Sequence, residues 1–93
     1  MMYLVAYDIV QDKRRKKLAD LLEGYGVRVQ YSVYELEISK SKLQRLLFEI
    51  EKQELFDKEI DSIRFYHIHK NSVQSSFEIC QKQPPFEPLD MFV

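Results

Sequence analysis

The sequence predicts an α+β domain with elements in the order βαββαβ, an antiparallel sheet carrying two helices on one face. Three observations carry that expectation. Residues 3–9 (YLVAYDI) and 62–69 (SIRFYHIH) are β-rich and apolar on both alternations, as strands of a covered sheet are. Residues 12–25 and the stretch from Ser41 repeat their leucines at helical spacing. Between them, the period drops to two.

The first strand meets a charge only at Asp8. Leu18, Leu21, Leu22 and Tyr25 then follow i, i+3, i+4, i+7, which predicts a helix with Asp12 as its N-cap. Gly24 or Gly26 is expected to end it through a positive φ. Val27, Val29, Tyr31 and Val33 share one strand face, but Tyr34, Leu36 and Ile38 fall on the other parity. A slip by one residue turns every side chain over. Two strands are therefore predicted, with a tight turn or bulge near Gln30-Tyr31-Ser32. Ser41 with Gln44 reads as a capping box ahead of Leu43, Leu46, Leu47 and Ile50. Two helices on one face of four such strands make the ferredoxin-like arrangement, which by itself decides no function.

Ninety-three residues suit one core, read as a domain over residues 1–70 and a tail over 71–93. The tail holds all three prolines. Residues 76–80 are expected to form a short C-terminal strand on the sheet of a second subunit, protecting an open edge; the alternative is a tail that folds back on its own subunit. A single cysteine, Cys80, excludes an internal disulfide framework and reads as a small core or interface residue. No apolar run approaches the roughly 18 residues of a membrane span, and Asp8 interrupts the apolar N-terminus too early for a signal peptide. A cytoplasmic protein without a membrane partner is expected.

The net charge of −1 conceals an asymmetry. Residues 1–45 carry nine Lys/Arg against six Asp/Glu, whereas residues 46–93 carry five against nine. Lys13-Arg14-Arg15-Lys16-Lys17 stand consecutively at the first helix start, where cations oppose the helix dipole. Such a run is either a solvated face or a phosphate-binding patch. Arg14 and Arg15 precede Leu18 by four and three residues, so they share its face and are expected to project towards Asp8. Asp8 itself either caps a turn or ligates a metal. One carboxylate makes a thin Mg²⁺ site, and two copies across a two-fold axis make an adequate one. His67 and His69 share a strand face without an acid or thiol to complete a metal site, and read as structural.

Tyr7-Asp8-Ile9, Asp12-Lys13-Arg14-Arg15 and Gln30-Tyr31-Ser32-Val33-Tyr34-Glu35 together resemble the hallmarks of a known family over residues 2–69. It is the small CRISPR-associated nuclease family, the second Cas protein of the spacer-acquisition machinery (Cas-two). Tyr34 departs from the usual Phe, and Leu36 stands where many members carry Gly. The resemblance implies a homodimer with Asp8 paired around Mg²⁺ as the catalytic and metal-binding residue. It implies a metal-dependent endonuclease on RNA or DNA, partnered with the CRISPR integrase. Arg14, Arg15, Lys17 and Arg28 would meet phosphates, and Ser32 would position water or a phosphate oxygen. The alternatives are a non-catalytic DNA-binding adaptor bridging integrase dimers, and a toxin-like ribonuclease of the same fold.

Overall fold

The computed structural model describes residues 1–80 and 85–86. The elements run β1 (Met2–Asp8), α1 (Asp12–Glu23), β2 (Val27–Gln30), β3 (Val33–Glu37), α2 (Lys40–Lys52), β4 (Ser62–Ile68) and α3 (Lys70–Ser75). The sheet order is β2-β3-β1-β4, with every neighbouring pair antiparallel. β1 is central, which is why it is the most apolar stretch of the chain. This is the ferredoxin-like order expected from the sequence. Among the described residues, no helix is long and apolar enough to cross a membrane.

The pleat divides the sheet into two unlike faces. Val5 stands opposite Tyr34 on one side and Phe65 on the other. These join Tyr7 and Leu36 on the face that meets Leu18 and Leu22 of α1 and Leu46 and Ile50 of α2. Leu4, Ala6 and Asp8 of β1 alternate onto the opposite face with Val33 and Glu35 of β3 and Arg64 and Tyr66 of β4. None of those residues is buried in the single chain. Residue 86 returns to this face, where the Phe86 N–H donates to Glu35 Oε1 at 2.8 Å.

Several local expectations are corrected. The N-cap of α1 is Gln11, without a side-chain cap bond, because Asp12 lies inside the first turn and pairs with Arg15. Gly24 closes α1 with φ −75°, and no described glycine has a positive φ. The helix ends on ordinary backbone bonds, from the Gly24 N–H to the Leu21 carbonyl and from the Tyr25 and Gly26 N–H groups to the Leu22 carbonyl. The cap of α2 is Ser39, whose Oγ accepts the Lys42 N–H at 3.2 Å; Ser41 is already helical and cannot cap. The slip in strand period has both anticipated causes. Tyr31 and Ser32 form the turn, and the β2–β3 register shifts between Arg28 and Gln30.

The chain after β4 differs from expectation by one added element. α3 follows at once, capped by His69 Nδ1, which accepts the Asn71 N–H at 3.2 Å. Residues 76–80 form no strand within the single chain, and pairing with a second subunit belongs to the assembly. Cys80 is exposed rather than a core residue of its own subunit.

The two departures at Tyr34 and Leu36 are both accommodated. The Tyr34 hydroxyl lies 3.2 Å from the Ala19 carbonyl and 3.3 Å from Glu23 Oε1, so its additional polar atom is satisfied. Leu36 is fully buried, and its Cδ2 occupies the space where a Cβ on Gly26 would sit, together with the Glu35 carbonyl oxygen. Gly26 is therefore required for space rather than for φ. Gly26→Ala is expected to destabilise the domain by about 1–3 kcal/mol, the usual cost of overpacking against backbone, measured by urea unfolding. Combining it with Leu36→Gly should remove the side-chain overlap but leave the clash with the carbonyl.

Candidate functional site

β1 ends at Asp8, and the turn between β2 and β3 comes up beside it. The Tyr7 N–H donates to the Ser32 carbonyl at 3.1 Å, and Asp8 stands opposite Ser62 at the start of β4. Asp8 is exposed and makes no hydrogen bond or ion pair among the described residues. It is not a turn cap. A desolvated carboxylate finds a partner; an exposed one without a partner remains free to ligate.

The turn-capping carboxylate at this end is Asp61, a residue the sequence reading did not single out. Its Oδ1 accepts the Val10 N–H at 2.9 Å, and its Oδ2 accepts the Asp57 N–H at 2.8 Å. Arg14 Nη2 lies 3.4 Å from Oδ2, and the Asp61 side chain is wholly shielded from solvent. The backbone bond from Val10, then that from Asp57 and the Arg14 charge, hold its carboxyl below the ordinary value despite desolvation. Within an acidic run from Glu49 to Asp61, nothing distinguishes it from its solvated neighbours. Only its place directly before an apolar strand offered a signal.

Arg14 and Arg15 are correspondingly committed to the β1–α1 loop rather than bonded to Asp8. Arg14 Nε is buried without a hydrogen-bond partner, and Nη2 meets Asp61. Arg15 Nη1 donates to the Ile9 carbonyl at 3.0 Å, and Nη2 pairs with Asp12. Lys17 is exposed and unpaired among the described residues. Arg28 folds over the turn, with Nε 3.4 Å from the Gln30 carbonyl and Nη2 3.1 Å from the Tyr31 carbonyl. Its guanidinium lies 4.9 Å from the Tyr31 ring centroid. Ser32 is held through its backbone and is half-buried.

The charges of Arg28 and Arg15 act on Tyr7. Burial pushes the Tyr7 phenol up, and the two guanidiniums oppose that rise. Tyr34 is pushed up to about 12 by burial, with the Tyr7 and Glu23 charges adding to it. The Tyr34 phenol is therefore a neutral hydrogen-bond donor at physiological pH. Across the sheet, Glu35 is raised by burial against the lowering effect of the Phe86 N–H.

Among the described residues, no three His, Cys, Asp or Glu side chains gather to hold a metal ion. Mg²⁺ takes one or two carboxylates and fills its shell with water and phosphate oxygens. Asp8, free and exposed on the uncovered sheet face, fits half of such a site and does not fit a cage within one chain. The histidines have separate work. His67 stacks on Tyr3 with ring centroids 5.0 Å apart, and His69 caps α3.

A ferredoxin-like sheet with one free carboxylate at the end of β1 and arginines around its root defines a small compact class of α+β proteins. The chain belongs to the CRISPR-associated protein Cas2 family, whose model matches residues 1–76. It is 57% identical over 65 residues to a CRISPR-associated endoribonuclease Cas2 of Synechocystis, covering 70% of this chain and 68% of the relative. It is also similar to the crystal structure of Streptococcus pyogenes Cas2, with a TM-score of 0.72 and 32% identity over 85% of this chain and 99% of that one. A chain in a partial Cas6-RT-Cas1–Cas2 complex superposes with a TM-score of 0.64 and 37% identity, over 85% and 90% of the two chains.

Asp61→Asn keeps the shape but places an amide donor against either a backbone N–H or Arg14. Because the folded carboxyl lies below its ordinary value of 3.8, the unfolded chain binds more protons in that window, and stability rises with pH through it. The contribution reaches its full value above about pH 5 and disappears as pH falls through the folded value. Asp61→Asn is therefore expected to lower Tm at pH 7, with the difference from wild type shrinking below about pH 5. Thermal unfolding followed by circular dichroism at stepped pH measures both.

Proposed function

We propose that the protein is a Mg²⁺-dependent endonuclease of CRISPR adaptation, hydrolysing phosphodiester bonds in RNA or DNA as a homodimer in the cytoplasm, with a Cas1-type integrase as its partner. The observation that carries this reading is the free carboxylate of Asp8, exposed at the end of β1 on the sheet face that α1 and α2 leave uncovered. Two subunits related by a two-fold axis through that face would bring two Asp8 carboxylates together, which is the number a hydrated Mg²⁺ uses. Bound there, Mg²⁺ would polarise a phosphoryl oxygen and lower the pKa of a bound water. The endoribonuclease name of the Synechocystis relative supports the activity.

The protein's own residues then have distinct tasks. Asp8 holds the ion. Ser62, opposite Asp8 in the register, and Ser32 offer hydroxyls at the same end of the sheet for water or a phosphate oxygen. Lys17 and Arg28 retain charge for the backbone of the nucleic acid. Arg14 and Arg15 position the loop that follows Asp8, and their effect on substrate is indirect.

A second reading is a non-catalytic DNA-binding adaptor. It is favoured by the similarity to a Cas2 chain within a Cas1-containing complex. Phosphate contacts alone suffice for that role, since sequence-independent binding is electrostatic.

Asp8→Asn decides between them. It preserves shape and removes the anionic ligand, so the fold and dimer should persist while Mg²⁺-dependent cleavage of single-stranded RNA or duplex DNA falls at least about tenfold, no less than the loss of an outer-shell partner costs. Cleavage by Asp8→Asn at the wild-type rate removes Asp8 from the chemistry and overturns this site, whereas no cleavage by wild type with Mg²⁺ supports the adaptor.

The phosphate assignments separate by salt dependence. Lys17→Ala should lower the slope of log K against log[salt] by about one unit. Arg14→Ala should instead reduce stability, because it strips a partner from the shielded Asp61. Fluorescence anisotropy across a salt series, paired with thermal unfolding, distinguishes the two residues.

A further inference from the structure

Tyr31 is the most exposed aromatic ring among the described residues, at 82% of its full accessibility. It occupies the two-residue turn between β2 and β3, where Gly, Asn or Asp are the usual choices. The turn does not demand it, since neither Tyr31 nor Ser32 has a positive φ. The core does not use it either. One face of its ring is covered by the Arg28 guanidinium at 4.9 Å, and that guanidinium is fixed by the Gln30 and Tyr31 carbonyls. The two carbonyls take two of the five guanidinium N–H groups, leaving three directed elsewhere. No acid among the described residues pairs with Arg28.

An open aromatic face beside an uncompensated, preorganised arginine is complementary to a nucleotide whose base is unpaired. The ring offers a stacking surface, and the remaining N–H groups offer donors to a phosphate. A base inside a duplex has its faces covered by its neighbours and cannot take that position. Ser32, the next residue, accepts the Tyr7 N–H, so this turn lies one strand spacing, about 4.8 Å, from the strand that ends in Asp8.

We propose that Tyr31, backed by Arg28, is a base-stacking platform that selects single-stranded or locally unpaired nucleic acid for the Asp8 site. The proposal rests on the nucleic-acid reading above and adds the residue that recognises the unpaired base. Tyr31 is a specificity residue; the chemistry at Asp8 proceeds without its hydroxyl.

The test measures binding without turnover, in EDTA. A single-stranded oligonucleotide with one 2-aminopurine and the matching duplex are titrated with the full chain, for wild type, Tyr31→Ala, Tyr31→Phe, Tyr31→Trp and Tyr31→Leu. Wild type should quench the single-stranded probe through stacking. Tyr31→Ala should weaken single-strand binding by about 5- to 100-fold, the range for loss of one stacked base, with duplex affinity within twofold and the salt slope unchanged. Tyr31→Phe and Tyr31→Trp should retain binding and quenching, and Tyr31→Leu should lose both. An exposed side chain contributes little to folding, so all variants should unfold at the wild-type temperature.

Wild-type binding to duplex alone overturns the proposal and leaves the nucleic-acid reading standing. Equal losses on duplex and single strand for Tyr31→Ala overturn it as well, as do full activity of Tyr31→Leu in quenching or a Tyr31→Ala chain that melts early. No binding to either probe overturns both readings together.

Discussion

The carboxylate of Asp61 takes two backbone N–H groups and faces one guanidinium: Val10 after β1, Asp57 in the loop before β4, and Arg14 in the first turn of α1. Val10 and Arg14 lie 51 and 47 residues from Asp61, Asp57 only four before it, and all meet at one end of the sheet. A shielded carboxylate bound in this way fixes the path of the chain as it leaves β1, since releasing any donor leaves a polar group unsatisfied. The position of Asp8, two residues before Val10, follows from that clamp. So does the start of α1, whose first-turn cations would otherwise oppose the helix dipole without compensation.

The same clamp explains why two arginines of the basic run are poor candidates for direct phosphate contact. Arg14 is tied to Asp61, and Arg15 to the Ile9 carbonyl and Asp12. A charge that already has a partner gains less from a phosphate, because the existing interaction must be given up or shared. Arg15 still contributes to the local field, opposing the rise at Tyr7 together with Arg28. Lys17 and Arg28 keep their charge uncompensated, and Arg28 alone combines it with an aromatic surface.

Pleat alternation supplies the other constraint. Tyr7 turns inwards to the helices and Asp8 turns outwards, so adjacent residues serve the core and the candidate site. The outward face carries Leu4, Glu35 and Tyr66 in neighbouring positions. That face mixes apolar side chains with a carboxyl raised by burial. The Phe86 N–H on Glu35 shows that part of the tail already returns to it.

The sequence by itself determined the order of elements through β4, the central place of β1, the slip between β2 and β3, and the position of Asp8 at the strand end. Each rests on local periodicity or on a short motif, and local patterns survive in a linear reading. Ser41 rather than Ser39 was the expected cap because Gln44 stands three residues after it, and only backbone dihedrals separate a cap from a first-turn residue. α3 carried too little apolar periodicity to be seen. The partner of Arg14, the clamp at Asp61 and the spatial role of Gly26 were decided by the tertiary structure. Asp61 lies 47 residues from Arg14 and 51 from Val10, and Gly26 is constrained by the backbone at Glu35 and the side chain of Leu36. Contacts between residues so far apart in sequence leave no period in either partner, because what selects them is the closing of the sheet that brings them together.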